Sequence, residues 1–105
     1  MKLIYAIVRN NDSSQVINSL NKKGFYITKM ASTGGFLRQG NTTLLIGTDE
    51  DKVDEVIDIV KRECGPRQNI FNYPMGTGEY SAMNTMVNVG GATIFVTDVE
   101  RYEKI

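Results

Sequence analysis

The run KLIYAIV, residues 2–8, is the feature that most restricts how this chain can fold. β-branched and aromatic residues dominate the run, and apolar side chains occupy both of its alternating faces. A strand of this composition must be covered on both sides, so it predicts a central strand of a layered domain. The chain has 105 residues, a length typical of one domain with one core.

A first helix is predicted directly after this strand. Asp12 and Gln15 have the spacing of a capping box, and apolar residues within 16–20 recur at helical spacing. Gly24 follows at the position where glycine commonly ends a helix, because it accepts a positive φ. The first unit of the fold is therefore expected to be a strand followed by a helix.

A second helix is predicted between Thr48 and Gly65. Thr48 and Asp51 could cap its start, and Gly65 with Pro66 would end it. The apolar stripe of this helix has i, i+3, i+4, i+7 and i+11 spacing and consists of Val53, Val56, Ile57, Val60 and Cys64. Because Cys64 belongs to this stripe, we expect a small buried side chain and not a reactive thiol.

Three further strands complete the predicted fold. Residues 25–33 alternate between two faces, residues 42–48 form a returning strand, and residues 89–99 resume strand character near the C-terminus. The order β-α-β-β-α-β predicts an α+β, ferredoxin-like domain, with a four-stranded antiparallel sheet and two helices on one face. Residues 66–88 show no helical periodicity and are predicted to be a binding loop or a disordered segment.

The second face of such a sheet is left without a helix. Tyr5, Thr28 and Met30 or their neighbours would lie there, and this surface is too apolar to remain in water. We therefore predict self-association across that face. Grooves between the subunits could then hold a ligand.

The segment STGGFLRQGN, residues 32–41, allows two interpretations. Its glycines suit a tight turn, and Phe36 with Leu37 could simply fold back onto the protein. Alternatively, Gly34 and Gly35 let the backbone approach a ligand, and the apolar pair covers a flat ring. Arg38 or Lys29 would then neutralise the charge of the ligand. The residues alone leave both interpretations open.

Composition argues against several classes of function. Twelve basic and twelve acidic residues cancel, so no strong field attracts duplex nucleic acid or an anionic membrane. The chain contains no histidine, which removes the usual general base. A ferredoxin-like enzyme that uses Arg38 and Asn41 to position a phosphate therefore remains a weaker alternative.

Neither metal binding nor secretion is expected. Carboxylates within 49–55 fall at a predicted helix start, where they complement the helix dipole, so we interpret them as a solvated turn. The N-terminal run MKLIYAIVRN lacks a small-residue cleavage site, and we expect a cytoplasmic protein.

Four segments taken together are similar to the PII-like cyclic-di-AMP receptor family. These segments are STGGFLR at 32–38, GNTT at 40–43, PMG at 74–76 and VGGATIFV at 89–96. They occur in the family's order, and the resemblance covers nearly the whole chain. It implies one PII-like domain over residues 1–105, with loops at about 34–40 and 66–88 bordering a ligand site.

The resemblance also implies a function. Family members are non-enzymatic homotrimers that bind the second messenger cyclic-di-AMP between subunits and signal by loop ordering to a downstream protein, without a cofactor. Thr28 would bond to an adenine edge, and Phe95 would pack near a base. The ligand-binding residues that the resemblance implies are Thr28, Gly35, Phe36, Leu37, Asn41, Gly47 and Phe95.

One difference from the family pattern keeps an alternative open. Many members carry an arginine where this chain has Tyr26, and tyrosine cannot supply that positive charge to a phosphate. Gly24 and Lys104 also stand where the family often has asparagine and glutamine. The alternative is a PII-like trimer that senses another adenine nucleotide, or a protein-only adaptor.

Overall fold

Two α-helices and six strands make up the part of the chain that the computed structural model describes, residues 1–31, 40–73 and 83–105. In chain order they are β1 (Lys2–Arg9), α1 (Asn10–Lys22), β2 (Ile27–Ala31), β3 (Asn41–Thr48), a 3-10 helix (Glu50–Lys52), α2 (Val53–Cys64), β4 (Arg67–Tyr73), β5 (Met83–Val89) and β6 (Ala92–Asp98).

Four of the strands form one antiparallel sheet in the order β2-β3-β1-β6. β1 lies between β3 and β6, which confirms that the apolar run at residues 2–8 is a central strand. Both helices pack on one face of this sheet, where α1 and α2 also contact each other. The ferredoxin-like α+β fold predicted from the sequence is therefore confirmed.

The hydrophobic core lies between this sheet and the two helices. Alternate residues of β1 and β3 point into it, as the two-residue period of a strand requires. Its buried residues are Ile4, Ala6, Val8, Val16, Leu20, Phe25, Leu44, Ile46, Val56, Ile59, Val60 and Cys64. The buried Cys64 is consistent with its predicted role as a small apolar side chain.

The predicted capping pairs are wrong for both helices. α1 begins at Asn10, two residues before Asp12, and its N-cap residue Arg9 makes no side-chain cap hydrogen bond. α2 begins at Val53, after the 3-10 helix, and again has no side-chain cap. The predicted end of α1 is correct: Gly24 has φ 87°, and its N–H donates to the Asn21 carbonyl at 3.0 Å.

Both α-helices of the described residues are short compared with the thickness of a bilayer. α1 has 13 residues and α2 has 12, whereas about 20 apolar residues are needed to cross a bilayer. Within the described ranges, neither helix has the length and apolar character of a membrane span.

Residues 66–88 contain two strands, so the predicted structureless segment is wrong for much of its length. β4 and β5 pair antiparallel as a separate two-stranded ribbon, with Arg67 opposite Val89 and Tyr73 opposite Met83. The backbone groups of each strand that face the other strand are satisfied by this pairing, which needs no regular apolar face. This explains why the asparagine-containing sequences RQNIFNY and MNTMVNV gave no clear strand pattern.

The ribbon joins the main sheet through a pair of glycines. Gly90 and Gly91 have φ values of 86° and 95°, in the left-handed region that favours glycine. The Gly91 N–H donates to the carbonyl of Cys64 at 2.5 Å, so the two connections of the ribbon meet at one point. The glycine pair therefore has a structural role at the start of β6.

Replacing Gly91 with alanine should destabilise the fold through backbone strain alone. A Cβ at Gly91 would meet no atom within 4 Å, but the positive φ should cost about 1–2 kcal/mol. We expect the melting temperature to fall by about 4–8 °C for each kcal/mol in a domain of this size.

Gly47→Ala is a matched control for this prediction. Gly47 lacks a positive φ, and its new Cβ would meet only the flexible end of Met1, at 3.0 Å. Equal melting temperatures for both variants would contradict the strain assigned to Gly91.

Candidate ligand-binding face

The helix-free face of the main sheet brings together residues that are distant in sequence. In an antiparallel sheet, directly paired residues point to the same side. Thr28 pairs with Leu45, which pairs with Tyr5, which pairs with Phe95. These four residues form one row across the sheet, about 14 Å from end to end at about 4.8 Å per strand.

The two ends of this row are the accessible ones. Thr28 is exposed and Phe95 is 55% exposed, whereas Leu45 and Tyr5 between them are half-buried. A hydroxyl group therefore lies at one end of an apolar floor, and an aromatic ring lies at the other. This combination suits a flat ring that bears hydrogen-bonding edges, such as a nucleotide base.

Asn41 and Gly47 lie on the same face, near the two ends of β3. Gly47 is exposed, and a Cβ there would lie 3.0 Å from the terminal carbon of Met1, which is the flexible end of that side chain. Asn41 pairs with Arg9, so the exposed Arg9 side chain projects from the same face of the sheet. Sequence reasoning missed Arg9. The predicted strand ended at residue 8, but side chains of β1 alternate between the two faces, and extending the strand by one residue places Arg9 on this face.

Asn10 fixes the point at which the chain enters β3. Its backbone N–H donates to the Gly40 carbonyl at 3.2 Å, and its side-chain oxygen accepts a bond from the Thr42 hydroxyl at 2.5 Å. A Cβ on Gly40 would lie 2.9 Å from the Asn10 amide nitrogen, so any larger residue at this position would displace the Asn10 side chain. The GNTT segment is thus explained in part by its attachment to the start of α1.

We expect Thr42→Val to loosen this attachment without changing side-chain volume. Thr42 is only 3% exposed, and the loss of one such hydrogen bond should cost about 1 kcal/mol. Chemical denaturation should show a lower midpoint with an unchanged slope. Thr43→Val, at a half-buried neighbour on the opposite face, is the control and should shift the midpoint less.

An open groove with a volume of about 240 Å³ adjoins Gly47. Gly24 and Tyr26, from the connection between α1 and β2, line it together with Gly47 and Met1. Tyr26 is 89% exposed, so its ring is available for contact. The groove extends the candidate site beyond the row of paired residues.

Charges near the other edge of the sheet are partly paired. The Lys2 ammonium bonds to the Asp98 carboxylate across β1 and β6. This hydrogen bond raises the pKa of Lys2 and lowers the pKa of Asp98. The acidic residues of the 3-10 helix are exposed, and within the described residues no group of three or more potential ligands is placed to hold a metal ion.

The structure brings together four of the seven sequence-predicted site residues on one face: Thr28, Asn41, Gly47 and Phe95. Gly35, Phe36 and Leu37 lie outside the described residues. Lys29 pairs with Leu44, a core residue, so its strand position belongs to the helix-covered side and not to this face.

Comparison with known proteins identifies the family. The model of the cyclic-di-AMP receptor family matches residues 1–105. Nitrogen fixation nifHD region GlnB-like protein 1 from Methanothermococcus thermolithotrophicus is 36% identical over 74 residues, which cover 58% of this chain and 70% of that protein.

A solved structure supports the same fold. The crystal structure of a protein from Pediococcus pentosaceus ATCC 25745, described as functionally unknown, superposes with a TM-score of 0.81 at 35% identity. The match covers 99% of this chain and 96% of that one. With a family match over its whole length and a PII-like fold, the chain belongs to the cyclic-di-AMP receptor family.

Proposed function

We propose that this protein is a non-enzymatic signalling receptor that binds cyclic-di-AMP at subunit interfaces of a homotrimer. The loop at about 34–40 and the segment at 66–88, which contains the ribbon of β4 and β5, border the bound ligand and communicate binding to a downstream protein. No cofactor takes part. The observation that carries the proposal is the row with Thr28 at one exposed end and Phe95 at the other, in a member of this family.

The chemistry of this row supports an adenine ligand. The hydroxyl of Thr28 can both donate to and accept from the edge of a purine. The ring of Phe95 is large, exposed and on the same face, so a base can stack on it. Gly47 allows the ligand to approach the backbone of β3.

The exposed apolar surface supports assembly. Both helices cover one face of the sheet, and the other face leaves Met30 50% exposed and Phe95 55% exposed. Burial of such a surface against two further copies removes it from water. In this arrangement, each ligand lies between neighbouring subunits, which complete a site that one chain leaves open.

Titration calorimetry with light scattering tests the proposal. We expect saturable binding of cyclic-di-AMP with one ligand for each chain, and a particle mass three times 11.7 kDa. The absence of saturable heat at high micromolar protein concentration would refute the assignment of the ligand. A single-chain mass at that concentration would refute the assembly.

The exposed Tyr26 favours a second candidate, a trimeric sensor of another adenine nucleotide or a protein-only adaptor. Tyr26 is uncharged and lines the groove beside Gly47, where a phosphate contact would benefit from a cation. A thermal-shift panel of ATP, ADP, AMP and cyclic-di-AMP separates the candidates, because a ligand bound only by the folded state raises the melting temperature. A shift with ATP alone would favour the second candidate.

A further inference from the structure

Two lysines line the groove beside Gly47. Lys23 follows the last residue of α1, and Lys52 ends the 3-10 helix before α2. The groove volume of about 240 Å³ lies below the range of about 300–1,000 Å³ that is typical of whole-ligand pockets. It therefore has the size of a subsite for one part of a larger ligand.

We infer that this groove is the subsite for the ligand's phosphate groups, and that Lys23 and Lys52 supply its positive charge. The inference deepens the proposed function, on which it rests for the identity of the nucleotide. The lysines are specificity-determining residues, since they select anionic ligands and make no contact with the row that would hold the base.

Two backbone donors at the end of α1 are already used and do not face an anion in the groove. The N–H of Gly24 donates to Asn21 at 3.0 Å, and the N–H of Phe25 donates to Leu20 at 3.1 Å. Both donors are thus used within the end of α1. That end also carries the partial negative charge of the helix dipole, which repels an anion. At this end of the groove, the nearby cationic side chains are therefore the groups that can attract an anion.

Lys52 lies between two helices. As the last residue of the 3-10 helix, it suits the negative end of that helix. It occupies the N-cap of α2, where the positive end of the helix dipole disfavours a cation. Both Lys52 and Lys23 are exposed, and none of the ion pairs between described residues engages either ammonium group. Their charges are available to a ligand in the groove.

Asp49 opposes the two lysines from the same groove. Its carboxylate is exposed and makes no side-chain cap hydrogen bond to the 3-10 helix. An anion in the groove would be repelled by this carboxylate. The inference therefore predicts effects of opposite sign for lysine and aspartate substitutions at one site.

The experiment compares six variants of the full chain by calorimetry, with cyclic-di-AMP and ATP as probes. Lys23→Gln and Lys52→Gln should each weaken binding about threefold, and together about tenfold, with a weaker dependence on salt. Asp49→Asn should strengthen binding about two- to threefold. Lys22→Gln and Asp54→Asn are the controls, because these exposed residues lie one turn or less from the groove residues without lining it.

The outcomes separate the inference from the proposed function. Unchanged affinity in the double lysine variant, while wild type binds cyclic-di-AMP, would overturn the inference and leave the proposed function intact. Equal losses in Lys22→Gln and Lys23→Gln would also overturn it. Lysine-dependent binding of ATP alone would support the phosphate subsite and refute cyclic-di-AMP as the ligand. If neither cyclic-di-AMP nor ATP binds the wild-type protein, the inference and the proposed function are both overturned.

Discussion

Phe95→Ala should weaken cyclic-di-AMP binding by about 5- to 150-fold. This range corresponds to the loss of about 1–3 kcal/mol from a base stacked on an aromatic ring. Phe95 is 55% exposed and points away from the core of its own chain, so each chain should still fold without this ring. Calorimetry gives the affinity, and a thermal melt confirms folding.

Val96→Ala is the matched control for this change. Val96 is the next residue of β6, is 41% exposed, and pairs with Ile4 on the helix-covered side. It should bind the ligand as wild type does. Equal affinity of Phe95→Ala and Val96→Ala for cyclic-di-AMP would show that Phe95 is not a ligand contact.

Tyr5→Lys should separate the trimer into single chains. Tyr5 is half-buried at the centre of the helix-free face, between Leu45 and Phe95. In the proposed trimer, three ammonium groups would be buried close together, at a cost on the order of several kcal/mol for each. Light scattering should show a mass near 11.7 kDa instead of three times that value.

Ser14→Lys adds the same charge at an exposed position of α1 and should leave the assembly intact. A Tyr5→Lys protein that folds and keeps the wild-type mass would show that this face is not the interface. Circular dichroism distinguishes dissociation from unfolding, because a folded single chain retains its helical signal.

The secondary structure could be predicted where apolar periodicity was strong. The stripe of α2 and the two-sided run of β1 each bury side chains in the core, so their spacing reports the fold directly. The start of α1 could not be predicted from local sequence. Asn10, its first residue, is held by hydrogen bonds to Gly40 and Thr42, which lie about 30 residues further along the chain. The sequences of β4 and β5 carried no periodic pattern, because the hydrogen bonds that pair these strands join backbone atoms, which every residue has.

The candidate site could also be predicted only in part from the sequence. The resemblance selected Thr28 and Phe95, but only the strand register shows that they share one row. Arg9 and Asn10 were missed because their relevance depends on the pairing of β1 with β3 and on the loop entry at Gly40. Lys23 and Lys52 line the same groove only because the fold brings the end of α1 close to the 3-10 helix that follows β3.

The row across the sheet places Tyr5, an expected interface residue, directly beside Phe95, an expected ligand contact. In the proposed trimer, assembly and ligand binding are thermodynamically coupled by this adjacency, and the coupling is reciprocal. Dilution of the protein should lower its apparent affinity, and saturating ligand should hold subunits together at concentrations where they would otherwise separate. The receptor would then respond to its own abundance as well as to the messenger.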